Sequence, residues 1–389
     1  MSRIHILGIE SSCDETAAAI VDETGLVKSD VVASQIQLHA PFGGVVPEID
    51  ARAHLQQIAR VVREAVAPFE GGLDAIDAIA VTQGPGLVGA LLVGTSMANA
   101  MAFSLDKPLV YVNHLEGHLF APFLRRDEEE EIGLTFPYIA LLASGGHTAI
   151  YRVSGPKEIH LIGQTRDDAA GEAYDKAAKV LGLGYPGGPV IDRLASNFGG
   201  EPERFAIPMQ GKRTMDFSFA GLKTALARRV AEELGDRGGE SRLSDERIGA
   251  LAAGFQEAVV QSLVRTTLRA AEAEGIDRVV ITGGVAANSG LRVILREKAA
   301  ERGIRVFIPP FANCTDNAAM IAYRGMLDFV AGDFGHLGQP GSRSEHSGQP
   351  GYRSPYSRDP LRRRGKFNRR GELVPRESKK MPSKTQSEA

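Results

Sequence analysis

Cysteine is almost missing from this sequence. Its 389 residues hold two, Cys13 and Cys314, with no Cys-x-x-Cys pair. That excludes a disulfide framework and a cysteine-built zinc site, and it suits a reducing compartment. Long apolar runs are scarce too. The N-terminal segment meets Glu10 before a signal-peptide core could form. The longest weakly polar stretch, residues 86–105, contains three glycines plus Thr95, Ser96, Asn99 and Ser104. A membrane span needs about 20 predominantly apolar residues, so this stretch is expected to be a buried helix. The expected setting is the cytoplasm, with no membrane contact. One phosphate-binding signature is also lacking: there is no Gly-x-x-x-x-Gly-Lys-Ser/Thr loop.

What is present is an ordinary soluble composition, 43% hydrophobic and 24% charged, long enough for two domains with sizeable cores. The formal net charge of −3 hides an asymmetry. Residues 332–389 carry 13 Lys+Arg against 6 Asp+Glu, and the preceding 331 residues carry 32 against 42. Only 10 of the last 58 residues are hydrophobic, too few for a core, so this basic tail is expected to be disordered. Within it Gly338–Ser344 (GQPGSRS) recurs at residues 348–354 (GQPGYRS). Its plain reading is an inert extension, although clustered Arg and Lys attract nucleic-acid phosphates without sequence preference.

Residues 4–9 read as a buried strand, followed by Glu10-Ser11-Ser12-Cys13-Asp14-Glu15-Thr16 and a second apolar run at 17–21. The pattern returns later: 137–143, the turn Ser144-Gly145-Gly146-His147-Thr148, then 149–153. This suggests two half-molecules opening with the same hairpin. Between them come a helix over 51–67, strands at 78–82 and 109–113, and an acidic run at 125–131 that suits a domain boundary. Helices are expected near 168–181, 221–234, 245–274, 287–302 and 316–331, with a strand at 278–282 before Gly283-Gly284. Strands alternating with helices imply a layered α/β fold.

His114 and His118 lie four apart, so on a helix they share a face and both reach one metal ion. The Glu of the HExxH metalloprotease motif is absent. Leu115 holds its place, and Glu116 sits roughly 200° around the helix from His114, pointing away. Further hard ligands would come from carboxylates. Asp316 is one candidate, and it would serve equally as an N-cap for the last helix. The glycine-rich turns Ser144-Gly145-Gly146, Gly187-Gly188 and Gly283-Gly284 let backbone N–H groups approach phosphate oxygens. Asp168, Glu172, Asp175 and Lys179 share one helical face and read as a solvated stripe. Asp192, after Tyr185-Pro186-Gly187-Gly188-Pro189, could accept ribose hydroxyls.

Together these residues resemble the tRNA N6-adenosine threonylcarbamoyltransferase family, formerly called glycoprotease or O-sialoglycoprotein endopeptidase, in its bacterial form. The motifs run collinearly from Gly8-Ile9-Glu10-Ser11-Ser12-Cys13-Asp14-Glu15-Thr16 through His114-Leu115-Glu116-Gly117-His118, the Ser144–Thr148 turn and Asp167-Asp168-Ala169-Ala170-Gly171-Glu172. They continue through the Tyr185 loop, Asp216-Phe217-Ser218-Phe219 with Gly221-Leu222-Lys223-Thr224, the Gly283-Gly284 turn up to Asn288, and Cys314-Thr315-Asp316-Asn317, covering about residues 4–331. The basic tail lies outside the pattern.

The resemblance implies an α/β fold of two related actin/hexokinase/Hsp70-like (ASKHA) lobes, residues 1–132 and 133–331, with the active site in the cleft between them. The last helix is expected to pack back toward the first lobe, and 332–389 to form the disordered tail. It also implies metal ligation by His114, His118 and Asp316, one divalent metal per subunit, iron ahead of zinc, with the fourth ligand open. Archaeal and eukaryotic relatives carry tyrosine where this chain has Leu142. Leu142, Ala143, Ser144, Gly145, Gly146, Asp175, Gly188, Asp192 and Asn288 match the positions that hold the adenylate substrate.

The implied reaction moves a threonylcarbamoyl group from threonylcarbamoyl-AMP to the N6 amine of the adenosine 3′ of the anticodon. Glu15 is the first choice for general base and Asp14 the second. The implied partners are tRNA, a paralogous ASKHA-fold protein and a small P-loop ATPase. A metalloprotease, a non-catalytic nucleotide-binding scaffold and a sugar kinase of the same fold are the alternatives.

Overall fold

The computed structural model of the chain describes residues 3–211, 214–236 and 243–335, and the paired strands Lys366–Phe367 and Leu373–Val374. The tail expected to be disordered otherwise lies outside the described residues. Residues 1–344 form one compact unit.

The first sheet is built from β1 (His5–Glu10), β2 (Glu15–Asp22), β3 (Val27–Ser34), β4 (Ala78–Gly84) and β5 (Leu109–Asn113), ordered β3-β2-β1-β4-β5. The second uses β6 (Tyr138–Ala143), β7 (Thr148–Gly155), β8 (Glu158–Gln164), β9 (Arg278–Thr282) and β10 (Arg305–Phe307), ordered β10-β9-β6-β7-β8. The two sheets repeat one plan. Each opens with an antiparallel hairpin at its centre (Glu10 opposite Ala17, Ala143 opposite Thr148), adds a third antiparallel strand outside it, and continues with two parallel strands on the other side. The duplicated hairpins seen in the sequence are therefore the central pairs of two equivalent sheets. Their apolar runs are continuous because helices cover both faces.

The helices are α1 (Ile36–His39), α2 (Pro47–Val66), α3 (Val88–Leu105), α4 (His114–Phe120), α5 (Ala170–Val180), α6 (Gly187–Asn197), α7 (Ala220–Asp236), α8 (Asp245–Glu274), α9 (Ser289–Ala300), α10 (Phe311–Cys314) and α11 (Ala318–Val330). Helices α2 and α3 cover one face of the first sheet, where Ile58, Val61, Ala98 and Ala102 meet Leu7, Ile9 and Val81.

Helix α3 corrects an expectation. It is long and apolar enough to cross a membrane by length and composition, yet it is not a buried helix. Its core stripe is Ala90, Gly94, Ala98, Met101 and Ala102, while Val88, Leu92 and Phe103 are 74%, 60% and 76% exposed. Small residues and Met101 at helical spacing seat it on the sheet, while Val88, Leu92 and Phe103 point the other way.

The chain then crosses over twice. Helix α4 leaves the first sheet and buries Leu115, Leu119 and Phe120 against Tyr138, Ala140 and Leu142 of the second. Helix α11 follows the second sheet but packs Ala318, Ala319, Ile321 and Ala322 on Ala17, Ala19, Ala78 and Ala80 of the first. Glycine permits both approaches. A Cβ at Gly8 would overlap the Ala318 carbonyl, and one at Gly117 would lie 2.9 Å from Ile321 Cδ1. The residues leading α4 and those preceding α11 thus meet between the sheets.

Candidate active site between the two sheets

Strand β5 runs straight into α4, and Asn113 caps the helix by accepting the N–H groups of Leu115 (2.9 Å) and Glu116 (3.3 Å). The i, i+4 spacing then sets the His114 and His118 rings 4.8 Å apart at 87°. Asp316 reaches them from the other crossover, its Oδ1 lying 3.0 Å from His118 Nε2 and 3.6 Å from His114 Nε2. Asp316 is not the cap of α11. Asn317 is, accepting the Met320 N–H at 3.0 Å, which leaves the Asp316 carboxylate to face the histidines.

The other nitrogen of His114, Nδ1, lies 2.9 Å from Glu10 Oε2, which also accepts the Thr82 hydroxyl at 2.6 Å. Burial raises the Glu10 carboxyl, but the facing His114 outweighs it and holds the group below its ordinary value. Asp316 behaves likewise: burial is outweighed by His114 and His118, and its carboxyl lies far below the usual range. Burial lowers His114, yet Glu10 and Asp316 together raise it to about 9. His147, from the Ser144 turn, is pushed down to about 4 by burial and by the two neighbouring histidines.

Two imidazoles and a carboxylate, each offering one ligand atom within 4.8 Å of the others, could hold a metal ion. Glu10 behind His114 is placed as the carboxylate that would orient that ring if it bound a metal. Among the described residues this is the one such group. Glu10, Thr82 and His147 were not read from the sequence as parts of this centre. Only the position of His147 in the glycine turn could have flagged it.

Glu116 does point away from the histidines. It pairs with Arg324 of α11 at 2.8 Å, and Arg324 also binds Asp328 at 2.7 Å and lies over the Phe120 ring at 5.4 Å. Arg324 is 6% exposed, so removing it strands two carboxylates where α4 and α11 cross. The expected effect of Arg324→Leu is a loss of about 2–3 kcal/mol, read as a lower urea midpoint at unchanged slope.

Tyr185 precedes α6 and lies near carboxylates from both halves of the chain. Burial pushes its phenol up, and the nearby Asp14 and Asp175 carboxylates push the same way. Glu15 is driven well above the ordinary carboxylate value by burial, then by Asp14 and Asp316.

The substrate positions separate into three kinds. Leu142 and Ala143 are core side chains. Ser144 closes the turn by accepting the His147 N–H at 3.1 Å, while Gly145, Gly146 and Gly188 face open space, where even a Cβ would touch nothing within 4 Å. Asp192 and Asn288 join through Gln256, which donates to Asp192 (3.0 Å) and accepts from Asn288 Nδ2 (2.7 Å). Asn288 also caps α9, and Asp192 accepts the Ser289 N–H at 3.0 Å.

The expected solvated stripe holds only at Lys179, which is exposed; its three carboxylates are bonded, and Asp168 lies just before α5. Asp168 pairs with Lys176 and Lys223, Glu172 accepts the Ala169 N–H, and Asp175 accepts the Gly187 N–H at 2.7 Å, at the start of α6.

Burial, aided by Asp14 and opposed by the Gly187 N–H, lifts Asp175 to about 6. An acid whose folded pKa exceeds its unfolded value stabilises the fold below the unfolded pKa and loses that contribution as pH rises toward 6. Asp175→Asn keeps an acceptor for Gly187 and removes the charge. It is expected to raise stability by about 1–2 kcal/mol at pH 7.5, a gain that vanishes below about pH 4, as thermal melts across that range would measure.

Comparisons with known proteins identify the family. Residues 27–323 match the family model described as tRNA N6-adenosine threonylcarbamoyltransferase. A protein of that name from Sorangium cellulosum is 55% identical over 340 residues, covering 85% of this chain and 93% of the relative. One from Syntrophotalea carbinolica is 51% identical over 322 residues, covering 82% and 90%. Among solved structures, T. kodakarensis HypF superposes with a TM-score of 0.54 at 16% identity, over 85% of this chain and 48% of that one. Full-length HypF in a phosphate- and nucleotide-bound form gives 0.53 at 15% identity, over 84% and 55%. At such identities the likeness concerns the fold, the two-lobed actin/hexokinase/Hsp70-like arrangement already visible in the repeated sheets. With relatives this similar along most of its length, the chain belongs to the tRNA N6-adenosine threonylcarbamoyltransferase family and is a transferase.

Proposed function

We propose that this chain transfers the threonylcarbamoyl group of threonylcarbamoyl-AMP to the N6 amine of the adenosine 3′ of the anticodon, in tRNAs that read codons beginning with adenine. The observation that carries this reading is the set of Asp316 and the buried His114 and His118, lying beside the open Ser144–Gly146 turn and the Asp14–Glu15 turn. The amine nitrogen bonds to the carbamoyl carbon, the carbon–oxygen bond to phosphate breaks, AMP leaves with that electron pair, and the amine loses one proton.

His114, His118 and Asp316 hold one divalent metal, iron ahead of zinc, which when bound supplies Lewis acidity toward a carbonyl or phosphate oxygen. Backbone N–H groups of Gly145 and Gly146 stabilise the charge developing on the departing phosphate, the Ser144 N–H being already donated to the His147 carbonyl at 2.8 Å. Asp175, Gly188, Asp192 and Asn288, with Leu142 and Ala143 beneath the turn, shape the seat of the adenylate. Glu15 takes the amine proton, with Asp14 beside it. A carboxyl raised by burial is a stronger base than a solvated one once ionised.

Partners follow from charge and surface. The body is acidic, and phosphate contacts dominate affinity for nucleic acid. A tRNA therefore needs local basic patches, the basic tail or other proteins. The exposed Val88, Leu92 and Phe103 of α3 supply an apolar surface for a protein partner. In this reading the partners are a paralogous ASKHA-fold protein and a small P-loop ATPase, and the setting is the cytoplasm. Glu116, held by Arg324, is unavailable as the base of a metalloprotease.

The test is release of AMP from chemically made threonylcarbamoyl-AMP, with incorporation of labelled threonine into unmodified tRNA. Release that requires both tRNA and metal is the expected result. Binding of nucleotide with no transfer, partners included, would favour the scaffold, and cleavage of protein without nucleotide would favour the protease.

A further inference from the structure

Behind the Asp14–Glu15 turn lies a second group of buried polar side chains that the reaction above leaves unused. His54 and Asp50 come from α2, His39 ends α1, and Thr16 opens the inner part of β2; all four are fully buried. His54 Nε2 lies 2.5 Å from the Cys13 carbonyl, and its Nδ1 lies 2.7 Å from Thr16 Oγ1. A carbonyl only accepts, so the proton is on Nε2, and Nδ1 accepts from the Thr16 hydroxyl. Asp50 Oδ1 faces this Nε2 at 3.4 Å and His39 Nε2 at 3.8 Å. The Val46 N–H donates to His39 Nδ1 at 3.3 Å, so His39 carries its proton on the side facing Asp50 too. Separately, the Gln35 N–H donates to the Asp14 carbonyl at 2.8 Å.

We propose that His54 is a positioning residue for the transfer reaction, its ring clamping both ends of the Cys13–Thr16 segment so that Glu15 is aimed into the cleft. Apolar side chains would fill this space at lower cost. Burying a carboxylate and two imidazoles is unfavourable unless they are paired, and neither Asp50 oxygen accepts a close hydrogen bond among the described residues. What the arrangement does supply is one fixed tautomer of His54, hence one donor and one acceptor at a set separation. The turn it holds has no regular strand or helix pairing of its own from Ser11 to Asp14. A misplacement of about 1 Å at a reacting group costs up to roughly 10²-fold in rate.

The inference rests on the transferase reading and on Glu15 as base. The experiment measures kcat and KM for threonylcarbamoyl-AMP in His54→Ala, His54→Gln and Thr16→Val, each alone and combined with Glu15→Gln, with metal content and thermal melts recorded for each. In His54→Ala the expected result is a kcat lower by about 10- to 30-fold, with KM and metal content unchanged. His54→Gln, which keeps a donor for Cys13, should recover most of that loss. In the Glu15→Gln background His54→Ala should cost less than about twofold, since residues that act through one another are non-additive. A folded, metal-loaded His54→Ala with kcat within about twofold of wild type overturns the proposal, as does an undiminished loss in the Glu15→Gln background. If His54→Ala does not fold, Thr16→Val decides by the same criteria, with an expected loss of about threefold from one hydrogen bond. Glu15→Gln at wild-type rate would overturn the base assignment and this inference together. A defective Glu15→Gln beside a kinetically silent His54→Ala would overturn the inference alone.

Discussion

Replacing His114 and His118 together by alanine is expected to lower threonylcarbamoyl transfer by about 10³-fold or more, with bound metal falling from one per chain to none. Both rings contribute Nε2 to the same few ångströms, and Asp316 bridges them at 3.0 and 3.6 Å. Losing both leaves a carboxylate that cannot hold a transition metal alone. Metal analysis of the purified variant, beside incorporation of labelled threonine, checks both halves. The fold should survive, because the hydrophobic contacts of α4 run through Leu115, Leu119 and Phe120. Full transfer by the double variant would remove the histidines from the reaction. Loss of metal with transfer retained would remove the metal along with them.

The parts of this centre differ in how far the sequence disclosed them, and the reasons are physical. The central hairpins were legible because strands covered on both faces produce unbroken apolar runs, as in Ile6, Leu7 and Ile9 or Tyr138 to Ala143. The outer strands β3 and β8 were not. Both lie at sheet edges, where Lys28, Ser29 and Asp30, or Glu158 and His160, interrupt the pattern. Helix α6 was missed because it begins Gly187-Gly188-Pro189, residues that also make loops.

Asp316 could not be told from a cap by its own chemistry. Asp and Asn cap equally well, and only the bond from Met320 to Asn317 separates the two roles. Helical geometry placed Glu116 correctly, since roughly 200° of rotation leaves it nowhere near the histidine face. Helix α3 was misread because apolar composition does not say which side of a helix is covered. His54, Asp50 and His39 left no signal at all, because their meeting depends on α2 lying against the turn after β1.

Glu15→Gln is the second large effect, an expected fall of about 10²-fold or more in kcat with metal content unchanged. The amine must lose a proton as its nitrogen bonds to carbon, and the amide of glutamine has the shape of the carboxyl without its basicity. The pH dependence separates a base from a merely structural carboxylate. Burial, with Asp14 and Asp316 nearby, raises the Glu15 carboxyl well above its ordinary value, so its base form is gained only as pH rises through that raised value. Wild-type kcat should therefore climb along an acid limb lying above the usual carboxylate range, and Glu15→Gln should flatten that limb at a low, constant rate. Asp14→Asn removes a like charge beside Glu15 and should shift the limb to lower pH while leaving the plateau nearly intact. If Glu15→Gln retained the limb, the proton would be going elsewhere, and Asp175, lifted to about 6 on the opposite side of the cleft, would be the next carboxylate to replace.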